Sequence, residues 1–152
     1  MIGVHDDLTP IRSSIEEFKP DIVFNLLEAF DNICVFDQNV VSYLELLKIP
    51  YTGCNPRGLT LARDKALARK LLEYHGIPSP AFKVIPFGKK PVLPRNLGFP
   101  LIVKSLTYEG SASISQASVV GDDARLEERV RFIHESIGTP ALVEEYVEGR
   151  EL

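Results

Sequence analysis

No apolar run in this sequence approaches the ~20 residues that a membrane-spanning helix needs, so a helical span is excluded. The opening residues, Met1-Ile-Gly-Val-His-Asp-Asp7, carry neither the basic nor the apolar stretch of a secretory signal. Cysteine is scarce: Cys34 and Cys54 are the only thiols, in none of the spacings of a zinc site or redox pair. Two reduced thiols fit a cytoplasmic protein. Positive charge is also short, with 17 Lys and Arg against 21 Asp and Glu, a net charge of -4 and a pI of about 5.4. That balance excludes nucleic-acid binding through a broad basic surface, because phosphate backbones demand clustered cations. It leaves room for a local cationic pocket holding one small polyphosphate. Repeats and low-complexity tracts are missing, and so is the G-x-x-x-x-G-K-[ST] phosphate loop.

What is present is the composition of a globular chain, 45% hydrophobic and 25% charged over 152 residues. This fits one ordinary domain, or one small domain with part of another. Thr9-Pro10 reads as a helix start, with Ile11, Ile15 and Phe18 on one face and Pro20 as the stop. Asp21-Ile-Val-Phe-Asn25 has the continuous apolar pattern of a strand buried on both faces of a parallel sheet. A second helix is predicted from Val40 to Leu47, then a short extended piece over Tyr51–Asn55 that breaks at Gly53. One or two strands do not make a stable open sheet, so residues 1–53 read as the back end of a larger α/β unit.

The rest, residues 54–152, reads as an α+β layer. Asn55-Pro56 opens a helical region, and Asp64 caps its continuation. Ala66, Leu67, Leu71 and Leu72 form the apolar stripe, and Gly76 ends the helix. Strands are predicted at Ala81–Ile85, Pro100–Ser105, Ile114–Val120 and Ala141–Val147. An amphipathic helix over Asp122–Ser136 turns Leu126, Val130 and Ile133 inward.

Several residues have the chemistry of an anion site. Lys104 ends the apolar run Phe99-Pro-Leu-Ile-Val-Lys104, which places its stem in the core and its ammonium at a strand end; a lysine reaching to solvent has the same pattern. The following Ser105-Leu-Thr-Tyr-Glu-Gly-Ser-Ala-Ser113, with Ser111 at its centre, offers hydroxyl and backbone N–H donors to phosphates. A plain polar hairpin loop explains it equally well. Lys65 follows Asp64 at a helix start, and two lysines on one polyphosphate each contribute ~1.5–3 kcal/mol. The closing stretch, Ala141-Leu-Val-Glu-Glu-Tyr-Val-Glu-Gly-Arg-Glu-Leu152, is too acidic for a core strand and reads as a strand running into a polar ligand edge. His75 and His134 sit within helices, and His5-Asp6-Asp7 reads as an exposed polar segment rather than a metal cluster.

Taken in order, Phe24-Asn-Leu26, Leu44–Gly53, Leu61–Leu72, Gly76-Ile-Pro-Ser-Pro80, Gly98–Ser105 and Leu142–Glu151 resemble the ATP-grasp superfamily, most closely its D-alanine–D-alanine ligase-like branch. The resemblance spans about 130 residues. It implies part of a preceding α/β domain over residues 1–53 and the nucleotide-side subdomain of an ATP-grasp fold over residues 54–152. It also implies a ligase that activates a carboxylate with ATP as an acyl phosphate, which an amine then attacks. By match, Lys65, Lys104 and the loop at Ser111 hold the phosphates. Glu144 and the backbone at Glu145 and Val147 meet the adenine, and Glu151 meets the ribose.

The pattern departs at three places. Ser113 stands where the phosphate-covering loop usually has glycine, and Leu27-Glu28-Ala29 stands where the ligases commonly have His-Gly after the Phe-Asn-Leu strand. The magnesium carboxylates, an Asn and an Arg are expected beyond residue 152. The resemblance therefore implies ATP and magnesium with a small amino-acid or peptide substrate, and an isolated chain without turnover whose ATP affinity is no better than roughly millimolar. Adding amino acids to a peptide or protein terminus, and a non-catalytic nucleotide-binding remnant, are the alternatives. Apolar surface on a half-cleft makes self-association a further expectation.

Overall fold

The computed structural model describes residues 1–108 and 115–149, and the chain divides between Ala62 and Arg63 into two units. In the first, helix α1 spans Thr9–Phe18. Pro10 stands in its first turn, and the Asp7 carboxylate accepts hydrogen bonds from the Thr9 N–H and hydroxyl, both at 2.8 Å. Lys19 ends the helix in the left-handed region at φ 45°, just before Pro20. Helix α2 spans Asp37–Leu46 and helix α3 begins at Pro56, where Asn55 Oδ1 accepts the Gly58 N–H at 2.8 Å. Ile11, Val40 and Leu44 form the small core, with Ile15, Val23, Leu27 and Tyr51 packed on it.

Two expectations fail in this unit. The predicted strand at Asp21–Asn25 is a single parallel bridge, Val23 to Tyr51. The Val23 N–H donates to Pro50 O at 2.8 Å and Val23 O accepts from Thr52 at 3.0 Å. The run is apolar on both faces, yet Ile22, Phe24 and Leu26 face outward at 55–73% exposure, because only the alternate residues meet the core. Phe18, expected inward, is exposed; it lies in the last turn, past the reach of the small core.

The second unit is built on a four-stranded antiparallel sheet in the order β1-β4-β2-β3, with β1 at Phe82–Ile85, β2 at Leu101–Ser105, β3 at Val119–Val120 and β4 at Ala141–Glu145. Alternation along each strand divides the side chains between two faces. Ile85, Leu101, Val103, Val120, Ala141 and Val143 pack against Leu126, Val130 and Ile133 of helix α5 (Asp123–Phe132 and the wider turn that follows it). Each of those large side chains contributes roughly 1.5–3 kcal/mol on burial. Asp122 caps α5 by accepting the Arg125 N–H at 2.8 Å, and Gly138 closes the element at φ 77°. Ile102, Lys104, Leu142 and Glu144 occupy the other face, toward helix α4 (Lys65–Tyr74). Asp64 caps α4 through the Leu67 N–H at 2.9 Å, and Gly76 follows it with φ 70°, as the sequence predicts.

Of the predicted strand Ile114–Val120, Ile114 lies outside the described residues, and among the rest only Val119–Val120 is strand. Gln116–Ser118 forms a tight helical turn instead, because the Ser115 and Ser118 side chains each take the other's backbone N–H. Such reciprocal capping satisfies donors that a strand would have to pair with a neighbour. Strand β4 ends at Glu145, two residues short of the prediction.

Candidate functional site

The antiparallel register of β2 and β4 sets Ile102 opposite Glu144 and Lys104 opposite Leu142. Lys104 and Glu144 are thus diagonal neighbours on one face, within reach of a long side chain. The Lys104 ammonium donates to Glu144 Oε1, and Arg69 of α4 donates to Glu144 Oε2 at 3.0 Å. Glu144 is only 2% exposed. A buried carboxylate is strongly disfavoured unless paired and hydrogen-bonded, and here each oxygen has its own cation.

Lys65, the first residue of α4, is tied to the segment that follows β2. Its backbone N–H donates to Leu106 O at 3.3 Å and its ammonium to Tyr108 O at 3.0 Å. Ser105 fixes the same segment from beneath: it is buried, shares a 2.8 Å hydrogen bond with the Thr139 hydroxyl and accepts the Tyr108 N–H at 2.9 Å. The start of the hydroxyl-rich loop is therefore anchored to a helix N-terminus and a strand end, each carrying a lysine. Ser111, at the centre of that loop, and Glu151 lie outside the described residues.

Glu145 points away from Glu144 by the two-residue alternation of the strand. Its N–H donates to Ala81 O at 3.0 Å, while its carboxylate takes the Ala81 N–H at 3.1 Å. A continuing ladder would give that N–H to the Glu145 main-chain carbonyl; the side chain replaces it, which leaves the carbonyl to another donor. The Tyr146 N–H donates to Pro100 O at 3.2 Å, and Val147 beyond it is exposed. Main-chain polar groups are thus presented at the exposed end of the strand. A cavity of about 550 Å³ adjoins it, lined by Ser79, Ala81, Phe82, Asn96 and Glu145 among others.

Of the sequence candidates, the structure brings Lys104 and Glu144 into direct contact. Lys65 meets the backbone that Lys104's strand leads into, and Glu145 and Val147 lie along the same strand end. The residue that sequence reasoning missed is Arg69. Its signal was available: Lys65 and Arg69 are four apart, on one face of a helix that Asp64 and Gly76 delimit. Among the described residues no group of three or more His, Cys, Asp or Glu is placed to hold a metal ion, so magnesium finds no fitting set of ligands there. No helix among the described residues is long and apolar enough to cross a membrane. A second cavity of about 840 Å³, within the first unit, is lined chiefly by apolar side chains such as Ile15, Phe18 and Phe24.

No protein-family model matches the chain. An uncharacterised protein of Sinorhizobium fredii is 32% identical over 150 residues, which take in 93% of this chain and 43% of that protein. A D-alanine–D-alanine ligase of Bordetella pertussis is 37% identical over 119 residues, 76% of this chain and 36% of the ligase. Among solved structures, the D-alanine–D-alanine ligase of Bacillus anthracis complexed with ATP superposes with a TM-score of 0.68 at 27% identity, over 93% of this chain and 46% of that one. The chain spans less than half the length of each of these relatives.

The mixed α/β fold is that of the ATP-grasp ligases. Within that class, the chain is a D-alanine–D-alanine ligase-like protein.

Proposed function

We propose that this chain supplies the nucleotide-binding side of an ATP-dependent carboxylate–amine ligase that works through an acyl phosphate. The observation that carries the reading is the buried Glu144 carboxylate holding Lys104 and Arg69 on the sheet face beneath α4. A cation cluster fixed on a rigid strand and helix is preorganised for polyphosphate, and phosphoryl transfer depends mainly on such positioning and charge stabilisation. In this reading Lys65, Lys104 and the loop at Ser111 bind the phosphates. The Glu145 carbonyl and Val147 N–H read the adenine edge beside Glu144, and Glu151 takes the ribose. Residues 1–53 are the end of a preceding α/β domain and residues 54–152 the nucleotide-side subdomain. The protein is cytoplasmic, and its amine and carboxylate substrates are D-alanine or a related amino acid, as the name of the Bordetella relative suggests.

The chemistry belongs to the ATP: it would supply the phosphoryl group that converts the carboxylate to an acyl phosphate, a mixed anhydride from which the attacking amine displaces inorganic phosphate. The chain's own residues bind and orient that nucleotide. Because the described residues offer no carboxylate cluster for magnesium, we also propose that the 152-residue chain alone turns over no ATP and binds it with roughly millimolar affinity. Titration with ATP, followed by NMR, tests the binding: saturable shifts that Lys104→Ala weakens support it, and unchanged affinity in that variant refutes the phosphate role. Phosphate release is then measured with D-alanine and magnesium. Release by the 152-residue chain refutes its inactivity. In a longer protein that contains this chain, release dependent on D-alanine supports the ligase reading, and release that requires a peptide acceptor contradicts it.

A further inference from the structure

Arg69 lies in the Leu61–Leu72 stretch but was assigned no role from the sequence, yet it decides the charge balance of the site. The Glu144 side chain is 3% exposed, whereas Arg69 and Lys104 retain 28% and 23%. The carboxylate is thus the floor of the cluster, and the two cations are its solvent side. Two positive charges against one negative leave a single net positive charge.

That count has a mechanical consequence. If Lys104 were the only partner of Glu144, any move of the ammonium toward an incoming anion would strand a buried carboxylate, which costs far more than a surface ion pair does. The lysine would then be held by its own strand neighbour. Arg69 removes the conflict, because its guanidinium occupies a separate oxygen of the same carboxylate. Its position is also fixed: it lies one helical turn from Lys65, on the helix whose first residue is anchored to Leu106 and Tyr108.

We infer that Arg69 is a positioning residue that keeps Glu144 neutralised and so releases the Lys104 ammonium to a polyphosphate ligand. This rests on the nucleotide reading proposed above. Arg69 itself touches no phosphate; it acts through Glu144 on Lys104.

The test is equilibrium binding of ATP, inorganic tripolyphosphate and adenosine to the chain and its variants. Arg69→Gln should weaken ATP and tripolyphosphate roughly ten- to a hundredfold and leave adenosine within about twofold. Arg69→Lys should restore most of the loss. The decisive variant is Arg69→Gln combined with Glu144→Gln. With the buried carboxylate gone only a neutral amide oxygen faces the ammonium, and its release strands no buried charge, so tripolyphosphate affinity should return toward the wild-type value. A merely structural Arg69 gives a different pattern: ATP and adenosine fall together, or the double variant stays as weak as the single one, and either result overturns the inference. If Arg69→Gln does not fold, the double variant decides alone: affinity near wild type supports the proposal, and affinity at the Lys104→Ala level overturns it. Unchanged ATP affinity in Lys104→Ala would instead sink the nucleotide reading itself, a failure recognisable because it involves no change at Arg69.

Discussion

Replacing Glu144 by glutamine changes one charge and almost no volume, and its effect on stability follows from the geometry. The carboxylate accepts two charge-assisted hydrogen bonds, from Arg69 and Lys104, each worth ~1.5–3 kcal/mol. Glutamine keeps one acceptor oxygen, so one bond survives and the amide group turns a donor toward the other cation. The two cations are also left facing each other without a counter-charge. Because each is about a quarter exposed, water recovers part of the loss. The net destabilisation is about 2–3 kcal/mol, below the ~3–5 kcal/mol of breaking a wholly buried pair. For a domain of this size that lowers Tm by about 10–20 °C. Thermal unfolding followed by circular dichroism reads the change, with the exposed Glu148→Gln as a control expected within about 0.5 kcal/mol of wild type. The triple variant Arg69→Leu, Lys104→Met, Glu144→Leu should unfold at or above the wild-type temperature, since apolar packing replaces ion triads without loss. A Glu144→Gln protein that melts within about 2 °C of wild type would refute the reasoning.

Three further outcomes test other parts of the structure. Leu126→Ala, which opens a cavity against the sheet at a position 1% exposed, should cost about 2–5 kcal/mol in urea unfolding. Gly138→Ala meets no atom within 4 Å, so its cost of about 1 kcal/mol is purely that of a side chain at φ 77°, and Gly138→Asn should recover part of it. The Thr9 N–H and hydroxyl hold the Asp7 carboxyl below its ordinary value. A depressed folded value means that this contribution to stability is present above the ordinary carboxylate range and is lost as pH falls through the folded value. NMR titration of Asp7 should show the low midpoint, and Thr9→Ala should raise it.

How much of this was legible follows from the range of each interaction. The caps at Asp64 and Asp122 and the inward face Leu126, Val130, Ile133 depend on neighbours three or four residues away, and the sequence shows them directly. So does Lys104 at the end of an apolar run. The bridge at Val23 was overestimated because an apolar pattern reports what a strand could bury, not whether a second face covers it. The turn at Gln116–Ser118 was missed because serine side chains satisfied N–H groups that the strand pattern assigns to a ladder.

The site divides in the same way. The sequence by itself determined which residues carry charge, which helix starts at Lys65 and which strand ends at Lys104, since these rest on local periodicity and capping. Only the tertiary structure decided that the acidic end of β4 is not a row of equivalent carboxylates. Antiparallel register turns Glu144 inward onto Lys104, the pleat turns Glu145 outward onto Ala81, and α4 brings Arg69 to a partner 75 positions away in the chain. Charge placement at that distance is set by strand pairing and helix packing, which no local pattern encodes.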